Sequence, residues 1–176
     1  GYRAAEIVKG LGEFSRQEDD NKKIIDVNRT IERAVKILEN EVDSHVQIDS
    51  EYGNIPKILA FSGKLMQLFI NIIKNSIESF TNKKRDSLNK ITIRTSELTE
   101  DEKKYIVIEF ADTGKGIGEL ILPKIYDPFF TTKTDGKGTG LGLSICRKIV
   151  EKHGGTIKID SSKKGTTVKI QLPVSK

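Results

Sequence analysis

The sequence predicts an α+β fold: a two-layer α/β sandwich with a mixed, mainly antiparallel sheet and helices on one face. Three observations carry that prediction. Apolar residues recur at three- and four-residue spacing in four separate stretches. Between them lie short runs of alternating β-formers, most of them paired across charged or glycine-bearing loops. The chain has 176 residues, 36% of them hydrophobic and 31% charged, which suits one core with at most a short appendage. Helices mixed with hairpin-connected strands bury their apolar faces most simply in two layers.

Ala4, Ile7, Val8, Leu11 and Phe14 predict an amphipathic helix over 2–17. The polar stretch from Arg16 to Lys23 ends it and marks the best boundary, dividing a helical remnant and linker at 1–20 from a main domain at 21–176. Ile24 to Val27 reads as a short strand, and Asn28 as the cap of a helix that buries Ile31, Ala34, Val35 and Leu38. Val46 and Ile48 alternate with polar neighbours; Ile58 to Ala60 form another short run, with Tyr52-Gly53-Asn54 as a turn between. Ser62 reads as the N-cap of the strongest helix, about 63–81, with a stripe of Leu65, Leu68, Phe69, Ile72, Ile73, Ser76, Ile77 and Phe80. Ile91/Ile93 and Ile106/Ile108/Phe110 predict a hairpin. A helix over 141–153 stops at Gly154-Gly155, and strands at 156–160 and 167–172 close the chain around Lys163-Lys164-Gly165.

Composition narrows the function classes. The 30 basic and 25 acidic residues give a net charge of +5, but the lysines fall in scattered pairs at expected turns, so no nucleic-acid partner is expected. No apolar run approaches a membrane span of about 18 residues and no signal-peptide pattern opens the chain, which predicts a cytoplasmic fragment without membrane contact. The absence of an initiator Met suggests an excised piece of a parent protein, whose own membrane anchoring the sequence leaves open. The single Cys146 lies in an apolar helical run, so disulfides are not expected. His45 and His153 lack zinc-site spacing, and His153 before Gly154 reads as a helix-end residue favoured by the macrodipole.

The chemistry concentrates in two glycine-rich stretches. DTGKGIG (112–118) puts a carboxylate at the end of a β-type run, directly before backbone able to close on a flat ligand. GKGTGLGLS (136–144) is a basic, side-chain-poor loop running into a helix, whose first N–H groups can receive an anion. One suits a base and the other a phosphate chain, so together they imply a nucleotide. Neither Gly-Lys pair is followed by Ser or Thr as a P-loop requires, and GxGxxG fails twice because Leu141 and Leu143 stand where Gly or Ala is needed. Asp112 can accept a hydrogen bond from an exocyclic amine, although Asp before Thr-Gly also forms turns. Asn71 and Asn75, four apart on one helix face, could supply oxygen to Mg²⁺; solvent-facing residues or a helix–loop hydrogen bond explain that pair equally well. Between the glycine stretches, Phe129 and Phe130 can anchor a loop whose Lys133 and Lys137 reach phosphate oxygens.

Taken together, these motifs resemble the ATP-binding catalytic domain of two-component sensor histidine kinases, within the gyrase, heat-shock chaperone, histidine kinase and mismatch-repair superfamily (the Bergerat fold). QLFINIIKNSIESF (67–80) resembles the family's N box, DTGKGIG its G1 box, DPFFTTK (127–133) its F box, GKGTGLGLS its G2 box and GTT (165–167) its G3 motif, all in family order. The resemblance implies ATP and Mg²⁺ as cofactors, with Asn75 holding the metal and Asp112 reading adenine. It implies base-pocket roles for Gly114, Gly116, Ile117 and Gly118, and a second adenine contact at Thr167. The phosphate lid would comprise Phe130, Thr131, Thr132 and Lys133, then Gly136, Lys137, Gly138, Thr139 and Gly140, and finally Leu141, Gly142 and Leu143.

The helix at 2–17 resembles the end of the family's dimerisation hairpin. The implied partners are therefore a phosphoacceptor His helix of the parent kinase, a downstream response regulator and a second copy of the parent. Neither His45 nor His153 has the acceptor's context. Where the superfamily's hydrolases carry a Glu general base, this chain has Asn71, which favours transfer to an external His, with Asn71 and Lys133 as the catalytic pair and positioning as the main resource. Glu78 stands where many sensor kinases have a basic residue, which shifts the phosphate contacts to the lid. The alternatives are an ATP-hydrolysing clamp of the same fold and a nucleotide-binding module without transfer activity.

Overall fold

A computed structural model describes residues 21–80, 89–117 and 142–174. The expected helix at 2–17 and most of the expected lid lie outside these residues.

The chain first builds a small sheet and a helix. β1 (Lys23–Ile25) pairs antiparallel with β3 (Ile58–Ala60), and α1 (Val27–Leu38) starts two residues after β1. The cap of α1 is Asp26, whose side chain accepts the Arg29 N–H at 3.2 Å, and not Asn28 as the sequence suggested. The strand ends at Ile25, so the turn into the helix falls earlier and leaves Asn28 free to reach sideways. Its Nδ2 donates to the Gly53 carbonyl at 3.0 Å, and its Oδ1 accepts from the Thr95 hydroxyl at 2.7 Å. A single 3₁₀ turn (Glu39–Glu41) follows α1.

The main sheet has the order β2 (Val46–Tyr52), β4 (Asn89–Glu100), β5 (Lys103–Asp112), β7 (Gly165–Pro173) and β6 (Thr156–Ser162). Only β2 and β4 run parallel; the other three pairings are antiparallel. The Tyr52–Asn54 turn therefore does not join two strands of one sheet, since β2 and β3 belong to different sheets. β4 and β5 close through Asp101 and Glu102, both in the left-handed region (φ 51° and 64°), as a two-residue hairpin turn that follows strand twist requires.

One face of this sheet carries Ile91, Ile93, Ile106, Ile108, Phe110, Val168, Ile170 and Leu172, each at most 7% exposed. Against it lie α2 (Ser62–Glu78), which buries Leu65, Leu68, Phe69, Ile72 and Ile73, and α3 (Gly142–Lys152), which buries Cys146, Ile149 and Val150. The Phe69 and Phe110 rings meet at 5.9 Å between centroids, joining helix layer to sheet. The other face is mostly polar and carries pairs such as Arg94–Glu51 at 2.7 Å. The two-layer α+β sandwich expected from the sequence is thus the observed architecture. Among the described residues no helix is long and apolar enough to cross a membrane.

The N-cap of α2 is Phe61, which makes no side-chain cap, and not Ser62 as the sequence suggested; Ser62 is already the first helical residue. The Phe61 N–H instead donates to His153 Nε2 at 3.1 Å, from just beyond the far end of α3. His153 Nδ1 lies 2.7 Å from the Ile149 carbonyl, so it carries the ring proton and the ring is neutral. That overturns the macrodipole reading, which needed a cation. Burial is the main force lowering its pKa, opposed by the Ile149 carbonyl and aided by Lys22 and Lys152. The unfolded chain takes up a proton near the ordinary value of 6.5, the folded chain only at lower pH. The stabilising contribution of His153 is therefore intact above about 6.5 and shrinks as the pH falls through that value toward the folded one. His153→Gln should lower stability at pH 7.5 and remove this component, so its unfolding free energy falls less between pH 7.5 and 5.5 than that of the parent chain, as read by urea titration.

Candidate functional site

Strand β5 ends at Asp112, and three backbone segments converge there. Asp112 Oδ1 accepts the Gly114 N–H at 2.9 Å and the Thr166 N–H at 3.3 Å, the first closing a turn and the second reaching across from β7. Thr113 donates its N–H to the Lys90 carbonyl at 3.1 Å, and its hydroxyl accepts the Lys90 N–H at 2.9 Å, which extends the β4–β5 pairing by one residue. Lys115 N–H donates to the Ser79 carbonyl at 3.3 Å, tying the loop to the C-terminal end of α2. Ile117 N–H donates to Ser161 Oγ at 2.6 Å, tying it to β6. Segment 113–117 is therefore stitched to β4, α2 and β6 in turn.

Glycine makes this convergence possible at two decisive points. Gly116 has φ +75°, and a Cβ there would lie 1.8 Å from the Ser162 carbonyl oxygen. Gly114 is buried, and a Cβ there would lie 1.9 Å from Ser79 Oγ. The resemblance implied base-pocket roles for both; what the structure shows is that each is closely approached by another part of the chain itself.

Asn71 and Asn75 come from the half of α2 nearest this loop. Asn75 points its amide at the start of α3: a Cβ on Gly142 would meet Asn75 Nδ2 at 3.8 Å and Oδ1 at 3.9 Å. The first described turn of α3 thus faces an Asn amide. Asn71 lies one turn earlier and hydrogen-bonds the Cys146 thiol, which burial pushes up to about 12, so this cysteine is a packing residue and not a nucleophile. Leu143, half-buried, follows Gly142 in α3. Gly118, Phe130, Thr131, Thr132, Lys133, Gly136, Lys137, Gly138, Thr139, Gly140 and Leu141 lie outside the described residues.

The register of β7 bears on Thr167. Cross-strand pairs are Phe110 with Val168, Ala111 with Thr167 and Asp112 with Thr166. Side chains alternate along a strand, so Thr166 shares the face of Asp112 and Phe110, whereas Thr167 leaves on the polar face with Ala111. Thr166 and Ser161 are the residues sequence reasoning missed. Their hydroxyls sit 2.8 Å apart beside Asp112. The available signal was parity: Ile157, Ile159 and Ser161 form one every-second-residue set, as do Thr166, Val168 and Ile170.

The two-layer sandwich thus carries a carboxylate fixed at a glycine crossing and an Asn amide that faces the first described turn of α3. Comparison with known proteins gives its family. Residues 62–176 match the family described as histidine kinase-, DNA gyrase B-, and HSP90-like ATPase, and the chain belongs to that family. Similar curated proteins are sensor kinases: the sensor kinase CckA of Brucella abortus, 34% identical over 97% of this chain and 19% of its own length, and the sensor histidine kinase ZraS of Escherichia coli, 31% identical over 98% of this chain and 36% of its own. The catalytic domain of histidine kinase ThkA is 28% identical and superposes with a TM-score of 0.72, covering 86% of this chain and 95% of that one. The chain is therefore a histidine-kinase-type ATPase domain of the kind found in two-component sensor kinases, and it spans less than half the length of these curated relatives.

Gly116→Ala tests the convergence. It should cost roughly 2–3 kcal/mol of stability in urea unfolding, because a positive-φ residue gains a side chain against backbone that cannot retreat.

Proposed function

We propose that the chain binds Mg-ATP and delivers the γ-phosphoryl group to a histidine on a helix of its parent kinase. The observation that carries this reading is the Asp112 carboxylate, held by two backbone N–H groups at the meeting point of both glycine-bearing strand ends. A carboxylate fixed this way accepts from an exocyclic amine, a charge-assisted bond worth about 1.5–3 kcal/mol. The hydroxyl beside it belongs to Thr166, so the second contact to the base falls to Thr166 and not to Thr167.

The residues present fit the triphosphate and its metal. Asn75 offers a hard oxygen toward the first turn of α3, and that turn offers N–H groups to phosphate. Gly142 keeps the approach open where a side chain would fill it. The chemistry that Mg²⁺ would supply there is neutralisation of the charge on the transferring phosphoryl group. Asn75 would hold it, while Lys133 and Lys137, with the glycines at 136–140, would contact the phosphates.

Asn71 is engaged with Cys146 and carries no basic group, so water next to it would not be deprotonated. An imidazole needs no such base, because its nitrogen is already nucleophilic. The role of Asn71 is to hold α2 against α3 at the site, and transfer rests on alignment of the acceptor. The acceptor helix, a response regulator that takes the phosphoryl group onward, and a second copy of the parent are the partners this chemistry needs, in the cytoplasm.

Asp112→Ala should weaken ATP binding by about 10–150-fold with the fold retained, by calorimetry and circular dichroism. Asn75→Ala should abolish the Mg²⁺ dependence of binding. The deciding experiment supplies γ-labelled ATP to the parent kinase. Acid-labile, base-stable label on the protein is expected; label released only as inorganic phosphate would assign water as the acceptor and overturn the transfer reading.

A further inference from the structure

Strand β6 continues its inward-facing set beyond Ile157 and Ile159 with Ser161, a polar residue at the end of a core-facing row. Its hydroxyl makes three approaches: Ile117 N at 2.6 Å, Thr166 Oγ1 at 2.8 Å and the Gly165 carbonyl at 3.4 Å. These approaches are not equivalent. An amide N–H can only donate, so Ser161 Oγ accepts from Ile117. Ser161 then has one hydrogen to give. The Thr166 separation lies within the range of a full O–H···O bond and the Gly165 separation lies outside it. A hydrogen given to Thr166 Oγ1 makes the shorter of the two bonds, and it leaves the Thr166 hydrogen to point away from Ser161, on the side of the strand that Thr166 shares with Asp112.

We infer that Ser161 is a positioning residue of the base pocket, which pins the Ile117 amide and makes the Thr166 hydroxyl a donor toward the ligand. The inference rests on the nucleotide reading above and deepens it. The chain of bonds runs in one direction, from Ile117 N–H through Ser161 and Thr166 to an acceptor atom of the base. Beside it, Asp112 accepts. The pocket therefore matches a base edge that presents a donor next to an acceptor, and Ser161 keeps the two recognition groups from exchanging roles. Ser161 touches no reacting atom, so its effect falls on nucleotide binding and not on the transfer step.

The test uses the parent kinase with Ser161→Ala, Ser161→Thr, Thr166→Val and the Ser161→Ala/Thr166→Val pair, alongside Asp112→Ala. Mg-ATP affinity, the KM and kcat of phosphorylation, and the melting temperature without nucleotide are measured for each. Ser161→Ala is expected to raise Kd and KM about tenfold with kcat unchanged, the loss of one net hydrogen bond. Ser161→Thr, which keeps the hydroxyl, should return affinity to within about threefold of the parent. The double variant should bind no more weakly than Thr166→Val alone, because the two hydroxyls act as one unit.

A residue that only stabilised the fold would lower the melting temperature and give additive effects on affinity. Parent-like affinity in Ser161→Ala, no rescue by Thr, or additivity in the pair overturns the inference. If Ser161→Ala binds like the parent while Asp112→Ala loses ATP, only the role of Ser161 falls. If the parent chain binds no nucleotide, or Asp112→Ala binds as the parent does, the nucleotide reading falls and the inference with it.

Discussion

Asp112 Oδ1, bonded at once to the amides of Gly114 and Thr166, is the constraint on which the rest of the site depends. A carboxylate oxygen can receive two N–H donors only if both chains approach it without side chains in the way. Gly165 sits one residue before Thr166, where a Cβ would lie 1.9 Å from the Asp112 carbonyl oxygen, and Gly114 supplies the other donor itself. The β5 end, the loop after it and the start of β7 are thereby locked as one unit.

The helical layer is fixed to the sheet by different means. Apolar contact between α2, α3 and the inner face supplies the bulk of the stabilisation, and it is non-directional. Direction comes from a few polar links at the ends of elements. His153 receives the amide at the head of α2, Asn28 bridges Gly53 and Thr95, and the Ser79 carbonyl receives Lys115. The first and last of these bracket α2 at opposite ends. Asn75 is thus presented to the start of α3 by a helix anchored at both its termini.

Much of this was legible in the residues. The stripe from Leu65 to Phe80, the alternation in β4, β5 and β7, and the Gly154-Gly155 stop each reflect one element's own periodicity or backbone demand. Helix caps were less legible. Asn28 and Ser62 are both good capping residues by chemistry, yet strand β1 ends early enough to hand the first cap to Asp26, and the second helix takes its partner from His153, 92 residues away. His153 itself shows the same limit: its sequence neighbours suggest a charged helix end, and only its burial beneath Phe61 makes it neutral.

By itself the sequence determined the family and the two-layer class and singled out Asp112 and Asn75 as candidates, because motif spacing and hydrophobic period are properties of neighbours along the chain. Tertiary structure alone decided that β2 joins β4 in parallel and leaves β3 to β1, that Asn71 meets Cys146, and that Thr166 rather than Thr167 stands beside Asp112. Those outcomes depend on register between strands far apart in sequence. A shift of one residue moves every side chain to the other face, and nothing local to GTT records which shift the core selects.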